Sequence, residues 1–141
     1  MDGVSLAASI AGLVSFALDI AQTLHKYCSD FESAPKDIES LAHEAEALSK
    51  VLAQLEAFLS KEGAKGNSFN QTASVLASTL RDCRATLDNL ENGLKRSIKD
   101  GFSKVVGRLM WPFRKDQVQK MVDSLRRYNQ IFQFSLTVEG W

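Results

Sequence analysis

Proline is almost missing from this chain, and so are alternating runs of β-branched residues. The two prolines are Pro35 and Pro112, and Leu, Ala, Lys, Glu and Gln dominate the rest. These abundant residues favour helix, whereas strands need the β-branched and aromatic runs that the sequence lacks. The sequence therefore predicts an all-α fold. Its 141 residues, 45% of them hydrophobic, suffice for a single domain that spans residues 1–141 around one core.

Cysteine and histidine are equally scarce. The chain has only Cys28, Cys83, His25 and His43, and their spacing matches neither a disulfide framework nor a zinc motif. It also lacks a Gly-rich phosphate loop and the HExxH, GxSxG and CxxC motifs. We interpret His43-Glu44, followed by Glu46, as part of a solvated face of the second helix and not as a catalytic site. We therefore expect no enzymatic activity, no catalytic residue, no metal ion and no cofactor, and we expect reduced cysteines in an intracellular protein.

Charge is missing between Asp2 and Asp19. A secretory signal peptide would need basic residues before its apolar segment, whereas the only charged side chain before this one is the acidic Asp2. A permanent transmembrane helix needs about 20 apolar residues, whereas this stretch has 16 uncharged positions that include serines and glycines. By charge and length, the stretch is predicted to be neither a signal peptide nor a permanent span.

Apolar residues at three- and four-residue steps predict four helices. The first runs from near Gly3 to Tyr27. Its predicted buried stripe is Leu6, Ile10, Leu13, Ala17, Ile20 and Leu24. The second follows a cap at residues 33–35. Its predicted seam is Ile38, Leu41, Ala45, Leu48, Leu52, Leu55 and Leu59.

The third predicted helix begins near residues 68–71, and the fourth runs from about residues 112–115 to 138. The third has the seam Leu76, Leu80, Cys83, Leu87, Leu90 and Leu94. The fourth has the seam Val118, Val122, Leu125, Tyr128, Phe132 and Leu136. Because the pattern weakens at Gly93, we expect a kink or a short extra helix between residues 93 and 107. Four helices with short connections predict an antiparallel four-helix bundle.

Opposite charges are unevenly divided between the two halves of the chain. Residues 1–70 contain five Lys or Arg and ten Asp or Glu, whereas residues 71–141 contain twelve and seven. The second half is therefore the one suited to an anionic partner. We expect no nucleic-acid partner, because the acidic first half would repel a phosphate backbone and no DNA-binding motif is present.

A basic aromatic patch lies between Lys95 and Lys115, where seven basic residues accompany one acid, Asp100. Anionic lipid headgroups attract such charges, and tryptophan prefers the membrane interface. The residues predicted to contact headgroups are Lys95, Arg96, Lys99, Lys104, Arg108, Trp111, Arg114 and Lys115. An alternative stays open for the aromatic residues: Trp111 and Phe113 could close the end of the bundle while the cations face water.

The chain also contains three distinctive stretches: MDGVSLAASIAGLVSFALDI, DFESAPKDIESLAHEAEALSKVL and MWPFRKDQVQKMVDSLRRYNQIFQFSL. With the landmarks Gly12, Pro35, Leu41, Trp111 and Leu125, they resemble the N-terminal HeLo-like domains of fungal STAND (NOD-like) receptors and of their partner cell-death effectors. The resemblance covers nearly the whole chain. It implies a bundle similar to the four-helix domains of mixed-lineage-kinase-like necroptosis effectors, at the front of a longer protein.

The resemblance also implies a function. In that family the bundle oligomerises, its N-terminal helix enters the plasma membrane, and the membrane becomes permeable. The implied membrane-inserting residues here are Val4, Leu6, Ile10, Leu13, Val14, Phe16, Leu18 and Ile20. Close helix packing is assigned to the small residues Gly3, Ala7, Ala11, Gly12 and Ser15.

Two functions therefore remain open. The leading one is a membrane-targeting, cell-death-inducing, pore-forming effector domain of a fungal innate-immunity or incompatibility protein, which moves from the cytoplasm to the plasma membrane. Its expected partners are other copies of the chain, anionic lipids and a receptor that carries a similar domain. The alternative is a helical oligomerisation or adaptor module that never contacts lipid, because heptad seams can also join separate chains.

Overall fold

The computed structural model describes residues 3–30, 36–62, 67–99 and 113–139, and it describes side chains within 7–29, 36–59, 74–95 and 113–137. These residues form four helices: α1 (Gly3–Asp30), α2 (Lys36–Glu62), α3 (Asn67–Lys99) and α4 (Lys115–Glu139). No strand occurs in the ranges just given. The predicted all-α class and the four-helix bundle are confirmed.

The helices are arranged around the bundle in the order α1, α2, α4, α3. Within the described ranges, α1 packs against α2 and α3, and α4 packs against the other sides of the same two helices. The pairs α1 with α4 and α2 with α3 lie on the diagonals, where no Cα atoms come within 8 Å. Two helices that follow each other in sequence, α2 and α3, are therefore not neighbours.

The core consists of the apolar stripes that periodicity predicts. Every described member of the four stripes is buried except Leu136, which is half-buried against the core. Leu6 belongs to the first stripe, but its side chain lies outside the described part. The core also includes Ala21, Ala42 and Val51, which lie beside the predicted stripes and were not assigned to them. Burial of these stripes holds the helices together, because each buried aliphatic side chain contributes about 1.5–3 kcal/mol.

The third helix runs through Gly93 without a break. A side-chain carbon at Gly93 would overlap the ring of Phe113, which precedes α4 and is half-buried against the core. The weak point in the apolar pattern is therefore a packing site and not a kink. The helix is unbroken from residue 93 to residue 99, and the rest of the range predicted to hold the kink or interruption, 100–107, lies outside the described residues.

Polar contacts fasten α4 to both of its neighbours. The Nδ2 group of Asn129 donates to the main-chain oxygen and the carboxylate of Glu44 on α2, at 3.2 and 3.1 Å. On the other side, the hydroxyl of Tyr128 lies 3.0 Å from that of Thr86 and donates to the main-chain oxygen of Asp82 on α3. These bonds fix the register of α4 against α2 and α3.

The first turn of α4 is capped locally. The main-chain N–H of Arg114 donates to the side-chain oxygen of Gln117 at 2.9 Å, and the N–H of Val118 donates to the main-chain oxygen of Arg114 at 3.0 Å. The first bond satisfies the main-chain N–H of Arg114 just before the helix, and the second satisfies the N–H of Val118 in its first turn. Asp116 lies in the same turn, where the helix dipole favours a negative charge.

Candidate functional site

Helix α1 is the most apolar element in the described chain. Its segment Ala7–Ser29 has 23 residues, and an 18-residue window within it has a mean hydropathy of 1.5, so the segment is long and apolar enough to cross a membrane by length and composition. The uncharged stretch ends at Asp19 and is too short for a membrane span. The helix continues to Asp30, however, and the longer segment Ala7–Ser29 is long enough. A core helix of a soluble protein passes the same test when most of it is buried. In the most apolar 18-residue window of this segment, 33% of the residues are buried, a share similar to that of the other three helices.

The predicted membrane-inserting residues differ in how far they are buried. Ile10, Leu13 and Ile20 are buried in the core, where they pack as ordinary core side chains. Leu18 is 41% exposed. Val14 and Phe16 are half-buried at the edge of the core. Val4 and Leu6 lie in α1, and their side chains lie outside the described part.

The predicted packing residues lie mostly on the outer side of α1. Ala11, Gly12 and Ser15 are exposed, together with Ala8, and we call these four residues the small-residue face. A side-chain carbon added at Gly12 would meet no atom within 4 Å, so the fold does not require glycine there. Ala7 is half-buried against the core. Gly3 is the first residue of α1, and its surroundings lie outside the described part.

A groove of about 190 Å³ separates α1 from α3. It is lined by Ser9, Leu13, Ala77, Leu80, Arg81 and Arg84. Both arginines are exposed, so they place two positive charges beside the apolar helix. The sequence did not single them out, because they lie outside the basic aromatic patch and become neighbours of α1 only through the packing of α3.

The described part of the basic aromatic patch is small. Lys95 is exposed and lies 3.4 Å from Glu91, and Arg114 lies 3.5 Å from Asp116. Lys115 is exposed at the start of α4. Arg96 and Lys99 belong to α3, but their side chains lie outside the described part, as do Lys104, Arg108 and Trp111 altogether. Phe113 packs against the bundle core, which agrees with the alternative that this residue closes the end of the bundle.

The pairing of α1 with α2 brings both histidines together. The rings of His25 and His43 meet edge to face, with centroids 5.6 Å apart, and His25 Nε2 lies 3.4 Å from a carboxylate oxygen of Glu46. The two histidines are 18 residues apart in sequence, so no short motif marks the cluster. His43 is exposed to solvent, as the sequence predicted, but the sequence did not reveal that His25 lies beside it.

The two cysteines differ in their surroundings. Burial raises the pKa of the Cys83 thiol to about 12, so this side chain is an inert part of the core. Burial also raises the pKa of the half-buried Cys28 thiol, and the negative charge of Glu39 raises it further. Neither thiol is therefore activated as a nucleophile.

Comparison with known proteins identifies the family. Residues 1–138 match the family model described as the N-terminal domain of the pigment biosynthesis cluster protein PigL. The azaphilone pigments biosynthesis cluster protein L of Monascus ruber is 24% identical over 139 residues, which cover 93% of this chain and 29% of the relative. The chain thus spans less than a third of that relative's length, and no solved structure matches it. This chain belongs to the PigL N-terminal family of fungal helical domains.

Proposed function

We propose that this chain is a HeLo-like membrane-targeting domain that oligomerises on activation and permeabilises a membrane with α1. It acts without enzymatic chemistry, in the cytoplasm at rest and at the plasma membrane when active. Its partners are further copies of the chain, anionic lipids and a receptor that carries a similar domain.

The apolar composition of α1, with Leu18 exposed on its outer side, carries this proposal. The composition of α1 suits a membrane, and Leu18 is a large apolar side chain that the described part of α1 leaves exposed. Leu18 and the small-residue face lie on its outer side, so a lipid surface could contact them before the bundle rearranges. Arg81 and Arg84 lie along the groove beside this helix, where they favour anionic headgroups.

The energetics of insertion are close to balanced. Moving the core-facing side chains of α1 from the protein to the bilayer exchanges one apolar surrounding for another, at about 25 cal/mol per Å² in either setting. The remaining cost comes from the apolar surface of α2 and α3, which becomes exposed to water when α1 departs. Contacts between copies of the chain must cover that surface, which explains why oligomerisation and insertion are coupled in this proposal.

One observation favours the adaptor function as a second candidate. The small-residue face is exposed at rest, and small residues let two helix backbones approach closely in water as well as in lipid. The Monascus relative is named for a pigment biosynthesis cluster, and its remaining length leaves room for other activities. In this second candidate, the domain joins copies of the chain or a signalling partner and leaves the membrane intact.

Dye leakage from vesicles tests the proposal. The purified chain, cross-linked into oligomers through a fused dimerisation tag, is added to vesicles that contain anionic lipid and to neutral ones. We expect leakage from the anionic vesicles, and we expect Leu18→Glu to abolish it, because a charge on the outer side of α1 opposes insertion. The matched control is Phe134→Glu, which changes an apolar side chain 69% exposed on α4 and should leave leakage unchanged.

The same assay tests the arginines of the groove. Arg81→Gln with Arg84→Gln should weaken binding to anionic vesicles, at about 1 kcal/mol per charge that lies near the surface. Lys120→Gln with Arg127→Gln removes two exposed charges from α4 and serves as the control. If the cross-linked oligomers neither bind vesicles nor release dye, the membrane function is wrong and the adaptor function is favoured.

A further inference from the structure

We propose that His25, His43 and Glu46 form a binding site for a divalent transition-metal ion of the zinc class. One ligand atom from each residue can be chosen so that all three atoms lie within 4.8 Å of one another. His25 comes from α1, whereas His43 and Glu46 lie three residues apart on one face of α2. The site therefore exists only when the two helices are paired. It does not depend on the proposed membrane function.

The ligand set suits zinc. Two imidazoles and one carboxylate are the ligands of several open zinc sites, and imidazole also suits nickel, cobalt and copper. Bonds of about 2.0–2.1 Å in a tetrahedron separate neighbouring ligand atoms by about 3.4 Å. His25 Nε2 and Glu46 Oε2 are already 3.4 Å apart. His43 offers a ligand atom within 4.8 Å of one from each of the other two residues, and its side chain is exposed, so the proposed site requires only a side-chain rotation there.

The surroundings leave room for an ion. His25 and Glu46 are half-buried, which holds them in place, and exposed His43 leaves one side open to solvent for entry and for a water ligand. The Nζ atom of Lys50 lies 3.8 Å from Oε1 of Glu46, whereas His25 faces the other carboxylate oxygen, Oε2. Its side chain is 74% exposed, so it can move away without breaking the core. It also neutralises part of the carboxylate charge when the site is empty.

Binding at this site would stabilise the bundle. A ligand that binds only the folded chain raises its stability in proportion to the logarithm of the ligand concentration above Kd. The ion would bridge α1 and α2 near the C-terminal end of α1, so it would hold that end of α1 in the bundle.

Zinc titration of the untagged chain tests the site. Isothermal titration calorimetry should show one Zn²⁺ per chain, and Co²⁺ should give the intense visible bands of a four-coordinate ion. His43→Ala and Glu46→Gln should each weaken Zn²⁺ binding at least about 10-fold. Removing a residue that only orients a metal ligand already costs that much, and these two residues are ligands themselves. His43 is exposed, so its variant keeps the fold, and circular dichroism checks this for His25→Ala.

Two control variants make the test specific. Glu56→Gln changes another half-buried glutamate of α2, and Cys28→Ser removes a thiol one helical turn from His25. Both should bind Zn²⁺ like the unmodified chain. Zn²⁺ should also raise the unfolding midpoint of the unmodified chain but not of the His25→Ala, His43→Ala, Glu46→Gln triple variant. Binding that survives in the triple variant, binding lost in Cys28→Ser, or binding without a rise in midpoint would overturn the proposal.

Discussion

The side-chain amide of Asn129 on α4 donates to both the carboxylate and the main-chain oxygen of Glu44 on α2. The same carboxylate lies 3.3 Å from Nε of Arg126. Asn129 is buried and Glu44 is half-buried, so these bonds are shielded from water. They hold α2 and α4 together by directional contacts, so this pair can act as a scaffold if α1 leaves.

Glu44→Ala should therefore destabilise the bundle. It leaves the buried amide of Asn129 without its carboxylate acceptor, at a cost of about 1–3 kcal/mol in the free energy of unfolding. Urea denaturation followed by circular dichroism measures this change. Glu56→Ala on the same helix is the matched control and should change stability by less than about 0.5 kcal/mol. Equal losses in the two variants would mean that the Asn129 bonds contribute nothing measurable.

Gly93→Ala should also destabilise the chain, although alanine favours helix. The added methyl group meets the ring of Phe113, and overpacking of this kind costs about 1–3 kcal/mol. In a Phe113→Ala background the clash is absent, so the same substitution should stabilise by about 0.5–1 kcal/mol. A double-mutant cycle in urea measures the difference. A Gly93 substitution with the same effect in both backgrounds would contradict the predicted contact.

Gly12→Ala should have the opposite effect on the resting chain. No atom lies within 4 Å of the added carbon, so the variant gains helix propensity of about 0.5–1 kcal/mol without a clash. The thermal midpoint should rise. Gly12→Leu should fold as well, but it should reduce cross-linking between copies of the chain, because a large side chain separates the backbones that the small-residue face allows to meet. Unchanged cross-linking in Gly12→Leu would remove this face from the oligomer contact.

The two thiols should react at very different rates. At mildly alkaline pH, a maleimide should modify Cys28 slowly in the folded chain, and it should modify Cys83 only after urea is added, because burial raises the Cys83 pKa to about 12. Quantitative mass spectrometry of the labelled peptides measures both rates. Rapid labelling of Cys83 without urea would contradict its place in the core.

The same burial predicts a pH dependence of stability. The folded pKa of Cys83 is raised above the ordinary value of 9.0, so its contribution is complete below about pH 9 and is lost as the pH rises toward 12. The loss is at most about 1.4 kcal/mol per pH unit. Urea midpoints measured from pH 8 to pH 11 should therefore fall more steeply for the unmodified chain than for Cys83→Ala. Parallel curves would show that Cys83 ionises equally in both states.

Sequence periodicity predicted the fold and most of the core. Leu41, Leu55, Leu87 and Leu125 are fully buried or nearly so, because three- and four-residue steps place them on one side of each helix. Periodicity does not say which helices are neighbours. The diagonal placement of α2 and α3 could not be predicted, because a heptad seam defines a buried face and not the helix that covers it.

The candidate sites were predicted less completely, for the same reason. The uncharged composition of α1 was visible in the sequence, but the exposure of Leu18 and the neighbouring Arg81 depend on how the helices pack. The cluster of His25 with His43 likewise depends on the register between α1 and α2. The pattern weakens at Gly93, but the sequence could not show that the ring of Phe113 packs there, because a glycine that accommodates a ring and a glycine that ends a helix look alike in sequence.

The most direct test of the membrane function is whether α1 enters the bilayer. An environment-sensitive fluorophore is attached through maleimide to Leu18→Cys in a Cys28→Ser chain, where buried Cys83 stays unlabelled. The control is the same label at Phe134→Cys on α4. With oligomers on anionic vesicles, we expect the emission at position 18 to increase and shift to the blue as dye leaks, while the emission at position 134 stays unchanged. Leakage with no change at position 18, or equal changes at both positions, would contradict insertion of α1.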